Sequence, residues 1–171
     1  MWWNSRLYAA ALGILAALML HSGSAGADTL AGMLDGEERE WHVLSYGSDS
    51  NATFIEYGDM VNLDVTGFID PDSWSTREAL SLSMTITEDK VVDFDVIHLI
   101  GGSAMPPLFT SEGADVTLTL DSLHREGRTI RVMGRVEGWL ALQERLGTMP
   151  NMEEAIEIDV TFDIKASKIE F

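Results

Sequence analysis

The sequence predicts an all-β protein, an antiparallel β-sandwich of about eight to ten strands, with a closed β-barrel as the alternative fold. A cleaved signal peptide is expected ahead of it. Three observations carry that reading. Apolar and polar residues alternate with a period of two through most of the chain after residue 27. Turn-forming pairs rich in Gly and Asp fall between the alternating runs. An uninterrupted small and apolar run lies close to the N-terminus.

The N-terminal segment comes first. Arg6 is its only charged residue, Leu7 to Leu20 is apolar or small, and Ala25 and Ala27 precede the first acid, Asp28. A charged start, an apolar stretch and a small-x-small end are the three parts of a secretory signal peptide, which places the cleavage after Ala27. The apolar run of about 14 residues is short of the roughly 20 that cross a bilayer as a helix. No Cys follows it, so a lipid-modified cysteine anchor is chemically impossible. The expected organisation is therefore 1–27 signal peptide and 28–171 a single all-β domain, periplasmic or secreted.

Each strand follows from alternation. Leu80, Leu82, Met84 and Ile86 alternate with Ser and Thr, and Val92, Phe94 and Val96 alternate with Asp93 and Asp95. Val116, Leu118 and Leu120 do the same, as do Ile130, Val132, Gly134 and Val136. The clearest run sets Ile156, Ile158, Val160, Phe162 and Ile164 against Glu157, Asp159, Thr161, Asp163 and Lys165. Side chains on a strand point alternately to its two faces, so such runs have one dry and one wet face. Turns are expected at Asp35-Gly36, Tyr46-Gly47-Ser48, Gly58-Asp59, Glu88-Asp89 and Glu126-Gly127. The strands are then predicted near 29–35, 39–46, 51–57, 60–69, 78–87, 90–99, 114–123, 128–140 and 155–165, with a weaker one at 167–171. Three segments break the pattern: 70–77, 100–107, and 141–154, where one helical turn could fit. Function in β domains tends to sit on such loops.

Composition narrows the function. Removing residues 1–27 takes away one Arg and no acid, so the net charge moves from −17 to −18. That charge disfavours nucleic acid and anionic membrane surfaces, which call for basic patches. There is no Cys, so packing alone must hold an exported fold that would often carry disulfides.

No catalytic constellation emerges. Gly101-Gly102-Ser103-Ala104-Met105 misses the last glycine of a nucleophile elbow. His42, His98 and His124 are the only histidines after residue 27, without zinc spacing; His42 and His98 read as strand-face residues and His124 as a turn residue. Carboxylate pairs are too numerous in so acidic a chain to single one out. No cofactor is expected, with calcium the one candidate. Asp70 and Asp72 flank Pro71 in a loop and Asp64 lies one strand earlier, hard oxygen donors of the type calcium prefers, although Asp-Pro-Asp is also an ordinary turn sequence. Arg125, Arg128, Arg131 and Arg135 fall in one predicted hairpin, and cross-strand pairing with acids is favoured over an anion site. Trp74, Met105, Met149 and Met152 are the candidate ligand or partner residues, because apolar and adaptable side chains on loops can form a binding lip. Asn51-Ala52-Thr53 is a glycosylation sequon that matters only in a glycosylating host.

The mature region resembles small, uncharacterised exported bacterial β-sandwich proteins. The resemblance rests on an Asp-Gly turn before a Trp (Leu34-Asp35-Gly36 and Trp41), a Gly-containing strand (Gly134 to Trp139) and a last alternating strand (Ile158 to Phe162). It implies no catalytic residue and no ligand.

The functional expectation is thus an exported, soluble binding or interaction module whose partner is an unknown protein or small ligand. The alternative is a small outer-membrane β-barrel, whose strands also alternate and whose chain also ends on an aromatic such as Phe171. Ser167, Lys165 and Asp163 occupy positions that such a barrel would make apolar, and residues 28–171 hold only three Trp and two Tyr for aromatic girdles. Expression of the full chain in a Gram-negative host, followed by N-terminal sequencing, should return Asp28 as the first residue. A start at Met1 would overturn the cleavage assignment.

Overall fold

Chain direction and turn chemistry set the architecture. In a computed structural model, which describes residues 28–46 and 49–170, the expected cleavage region and Phe171 lie outside the described residues, as does the Gly47-Ser48 part of one predicted turn. The strands are β1 (Thr29–Leu34), β2 (Glu37–Val43), β3 (Ser45–Tyr46), β4 (Asp49–Ser50), β5 (Ala52–Tyr57), β6 (Met60–Phe68), β7 (Leu80–Thr87), β8 (Lys90–Leu99), β9 (Leu108–Glu126), β10 (Thr129–Gln143) and β11 (Asn151–Lys168). The protein is all-β over the described residues, with β3 and β4 forming a small separate hairpin.

The tight turns are where the sequence places them. Asp35 and Gly36 join β1 to β2 with φ of 51° and 76°, and Glu88 and Asp89 join β7 to β8 with φ of 51° and 59°. Two successive residues at positive φ match the right-handed twist of a hairpin. Asp tolerates this region through local hydrogen bonding, whereas Glu88 adopts it without that help.

Nine strands form one sheet with two densely paired stretches. In the first, β2, β1, β11, β10 and β9 lie side by side; in the second, β5, β6, β7 and β8 do. Short ladders join the two: His42 and Val43 of β2 with Phe68 and Gly67 of β6, Ile97–Leu99 of β8 with Leu108–Thr110 of β9, and Ser167–Lys168 of β11 with Thr53–Phe54 of β5. The last is parallel, the one exception to the antiparallel pairing predicted. β2 and β5 both run along one edge of β6, and residues 44–51 leave that edge as the β3–β4 excursion. The excursion is tied back where Asn51 N donates to Leu44 O and Thr66 N donates to Asn51 O.

Inward residues of both stretches meet in a single core. Leu30, Trp41, Phe54, Leu63, Leu82, Ile130, Ile158 and Ile164 are all essentially inaccessible. Burying a Leu, Ile or Phe side chain contributes roughly 1.5–3 kcal/mol, so apolar packing is sufficient to hold a fold that has no disulfide. A second, smaller cluster forms from Phe68, Ala79, Leu99 and Leu108, supported by Leu44 and Ile97.

Several boundaries differ from the sequence reading: the strand expected at 39–46 is divided between β2 and β3, and the one expected at 155–165 begins at Asn151, within the segment expected to be irregular. The strand expected at 114–123 runs from Leu108 to Glu126, and the helical turn expected after residue 141 is instead strand as far as Gln143. The weak strand at 167–171 is the end of β11, which continues without a break to Lys168. Long strands on a curved sheet outlast their own alternation, because register shifts after Met133 and after Trp139 reset the facing residues. Bulges of this type add twist and bend the strand.

Two glycines of β10 permit that curvature. At Gly134 an added Cβ would overlap the Thr119 carbonyl oxygen and press on the Phe162 ring. Gly138 has φ of 133°, and a Cβ there would overlap the Asp115 carbonyl oxygen and stand 2.9 Å from Val116 Cα. Gly138→Ala should therefore cost about 2 kcal/mol or more from combined backbone strain and overlap, read as a lower denaturation midpoint. A midpoint unchanged from wild type would show that the sheet does not depend on this close approach.

Candidate functional site

Strand direction gathers the irregular segments. β1, β6, β8 and β10 run one way and their antiparallel neighbours the other, so the connections 69–79, 100–107 and 144–150 all emerge at one end of the sheet. The Asp35-Gly36 turn emerges at that end too. The opposite end has the tight turns at Gly58-Asp59, Glu88-Asp89 and Gly127-Arg128.

The loop end carries the candidate residues. Trp74, in the 69–79 loop, stacks on Phe68 with ring centroids 6.4 Å apart, yet remains about half exposed. Met105 is exposed in the 100–107 loop, Met149 is 90% exposed in the 144–150 loop, and Met152 is exposed at the start of β11. Leu146 adds another exposed apolar side chain to the same loop as Met149. That loop holds its shape through its own backbone acceptors: Gln143 Nε2 donates to Thr148 O and Thr148 Oγ1 donates to Arg145 O.

Beneath the 69–79 loop is an arrangement that sequence reading did not single out. Trp41 Nε1 donates to the carbonyl oxygen of Glu78 at 2.8 Å, and Arg39 Nη1 donates to Glu78 Oε1 at 3.0 Å. Leu99 N donates to Ala79 O. Glu78 sits at φ of 58°, an uncommon backbone state for that residue type. Only the fold brings Arg39 and Trp41 to residue 78, so no sequence signal marks them as a latch.

His98 lies directly below. It is on a strand face as expected, but on the dry one: 7% exposed, edge-on to Trp41 and stacked on Phe109. Its Nδ1 is buried and has no hydrogen-bond partner among the described residues. Burial pushes its pKa below the ordinary value, and the positive charge of Arg39 adds to that effect; Glu78 and a backbone contact with Ala79 partly oppose it. His98 is therefore a neutral packing residue near pH 7.

The acidic candidates are not brought together. Asp70 Oδ1 accepts from Asp72 N, an Asx-type turn that accounts for the Asp-Pro-Asp sequence structurally. Asp64 lies within β6, four residues before its end, and accepts a 2.6 Å hydrogen bond from Ser83 Oγ of β7. Among the described residues no three His, Asp or Glu side chains converge as a metal site.

The four arginines are engaged in ion pairs. Arg131 Nε and Nη2 bind both oxygens of Asp163, and Arg135 Nε and Nη2 bind both oxygens of Asp159 across the β10–β11 ladder. Arg125 reaches Asp89 and Arg128 reaches Glu170. Asp163 is held below the usual carboxylate range by its hydrogen bonds to Arg131. A planar guanidinium matched to a carboxylate in this way is spent as a cross-strand tie. His42 stays near Glu40 on β2, and His124 is exposed near the end of β9.

Compared with known proteins, the chain matches no family model, no curated protein and no solved structure.

The state of His98 fixes a pH dependence. Its folded pKa is lower than its unfolded one, so below the unfolded value of about 6.5 the unfolded chain takes up the proton first. The stability contributed by neutral His98 is full above about pH 6.5 and is lost as pH falls toward the depressed folded value. Wild-type Tm should drop across this window, and His98→Leu should flatten that drop. Parallel Tm profiles for the two proteins would remove His98 as the cause.

Proposed function

We propose that the protein is an exported, soluble binding module, a two-layered β-sandwich whose corners are stitched by the short ladders, and that it engages an apolar ligand or partner through its loop end. One observation carries this reading. The strand directions place the loops bearing Trp74, Met105 and Met149 at a single end, with Met152 beside them, while among the described residues the connections at the opposite end are tight turns. Apolar side chains that are exposed together on adaptable loops provide contact area at low ordering cost, and methionine suits irregular apolar partners.

Sidedness supports a soluble module over a lipid-facing barrel. The inward face is apolar apart from His98 and Thr110, whereas the outward face carries the Arg131–Asp163 and Arg135–Asp159 pairs and Asp64, Asp93 and Asp95. Lipid-exposed strands would need the reverse arrangement over a band about 25 Å tall. Met33, Tyr57, Met60, Val92, Met133 and Trp139 are exposed apolar exceptions, spread over β1, β5, β6, β8 and β10 among polar neighbours.

Export follows from the segment before Asp28, and a net charge of −17 for the full chain suits an apolar or basic partner better than nucleic acid. Fractionation of a Gram-negative host expressing the full chain should recover the protein in the osmotic-shock fraction. Recovery in the outer membrane would overturn the reading. At the loop end, a neutral solvatochromic dye such as Nile red should brighten on the wild-type protein. Trp74→Ser combined with Met149→Ser should weaken that binding several-fold without lowering Tm, and equal dye binding would remove the loops as the site.

A further inference from the structure

The sheet contains a seam between β8 and β9. The two strands pair only at Ile97–Leu99 with Leu108–Thr110. Beyond that point, among the described residues, Lys90–Val96 pairs only with β7 and Asp115–Glu126 only with β10. Each therefore turns an unpaired backbone edge toward the seam. The seam is pinned at both ends: Val96 N donates to Ser111 Oγ at 2.8 Å, and Arg125 Nη1 donates to Asp89 Oδ1 at 3.0 Å.

The core is incompletely covered along this line. Inward side chains on β7 and β10, such as Leu82, Ile86, Val132 and Val136, are fully buried. Of those flanking the seam, Val96 and Leu118 are buried, whereas Val91, Phe94, Val116, Leu120 and Leu123 are only partly buried although they pack on the same core. The outward rim is acidic: Asp93 and Asp95 on β8 and Glu112, Asp115 and Asp121 on β9 are all exposed. At the lower end Arg125 is already paired with Asp89, and Lys90 is an exposed cation beside it that the acids of the rim outnumber.

We propose that the seam binds an extended segment of a partner protein by strand addition to β9, with alternate apolar side chains facing inward and basic ones outward. Each part of the occupant answers a feature of the seam. Unpaired amides and carbonyls template a strand. Partly exposed core residues take the apolar face of that strand, because a strand presents alternate residues to opposite sides. The acidic rim matches basic residues on the other face and rejects a second copy of this acidic chain. Lys90–Asp95 sets the length at about six residues, roughly 20 Å of strand. This site is separate from the loop end and goes beyond that reading.

The test uses the full chain after export and a blocked peptide of alternating Lys and Val, seven residues long. Hydrogen exchange with and without peptide should show slowed exchange confined to residues 90–95 and 111–124. The same peptide with alternate backbone nitrogens methylated, which keeps its charge but cannot complete a ladder, should give no protection. A peptide of alternating Glu and Val should not bind. Asp93→Asn with Asp95→Asn should weaken the Lys-Val peptide several-fold, whereas the Trp74→Ser, Met149→Ser variant should bind it as wild type does. Protection at the loops instead of the seam, equal binding of the methylated peptide, or no protection by any peptide would overturn the proposal.

Discussion

Everything in this fold depends on one constraint: a sheet with a single dry face, and no cysteine to staple it, must bury that face against itself. The core takes side chains from all nine strands of the sheet, and residues far apart in the chain, Leu30 and Ile164 among them, belong to the same cluster. A flat sheet cannot do this. Curvature enters where β10 shifts register and where Gly134 and Gly138 let a neighbouring strand approach more closely than a Cβ allows. Phe162 fills the space that Gly134 leaves, so the bend is covered by an aromatic ring.

The charge distribution is the counterpart of that constraint. With the apolar residues turned inward, the wet face receives most of the acids, and the arginines of β10 tie it across the ladder to β11. Exposed pairs of this kind contribute little individually, because solvent screens them. Their effect is to fix which residues oppose one another, because a slip by one residue would set Arg131 against an apolar neighbour. Inside, His98 is the one buried histidine among the described residues; it is neutral and packs on Trp41 and Phe109.

How far the sequence was legible differs from element to element. The short hairpins were readable because two local signals agree there: Asp35-Gly36 and Glu88-Asp89 interrupt alternation at the positions where φ turns positive. The long strands were readable in existence but not in extent. Residues 108–113 and 141–143 lack alternation in the sequence because polar Thr110 is buried alongside Leu108, and Leu140 and Ala141 are buried in succession where the register shifts. The same applies to the candidate site. Trp74, Met105, Met149 and Met152 were visible as apolar residues on broken segments, whereas the contact of Arg39 and Trp41 with Glu78 spans nearly forty residues and leaves no local trace.

The sequence by itself determined the period-two alternation, the turn positions, the absence of disulfides and the acidic charge, because each is a property of neighbouring residues. Tertiary structure alone decided that three distant loops share one end and that Asp64 stands apart from Asp70 and Asp72. It also decided that His98 faces the core and that β8 and β9 part below Ile97. Strand order and stagger are set by how both stretches of the sheet cover one core, and that is a long-range packing condition no window of sequence contains.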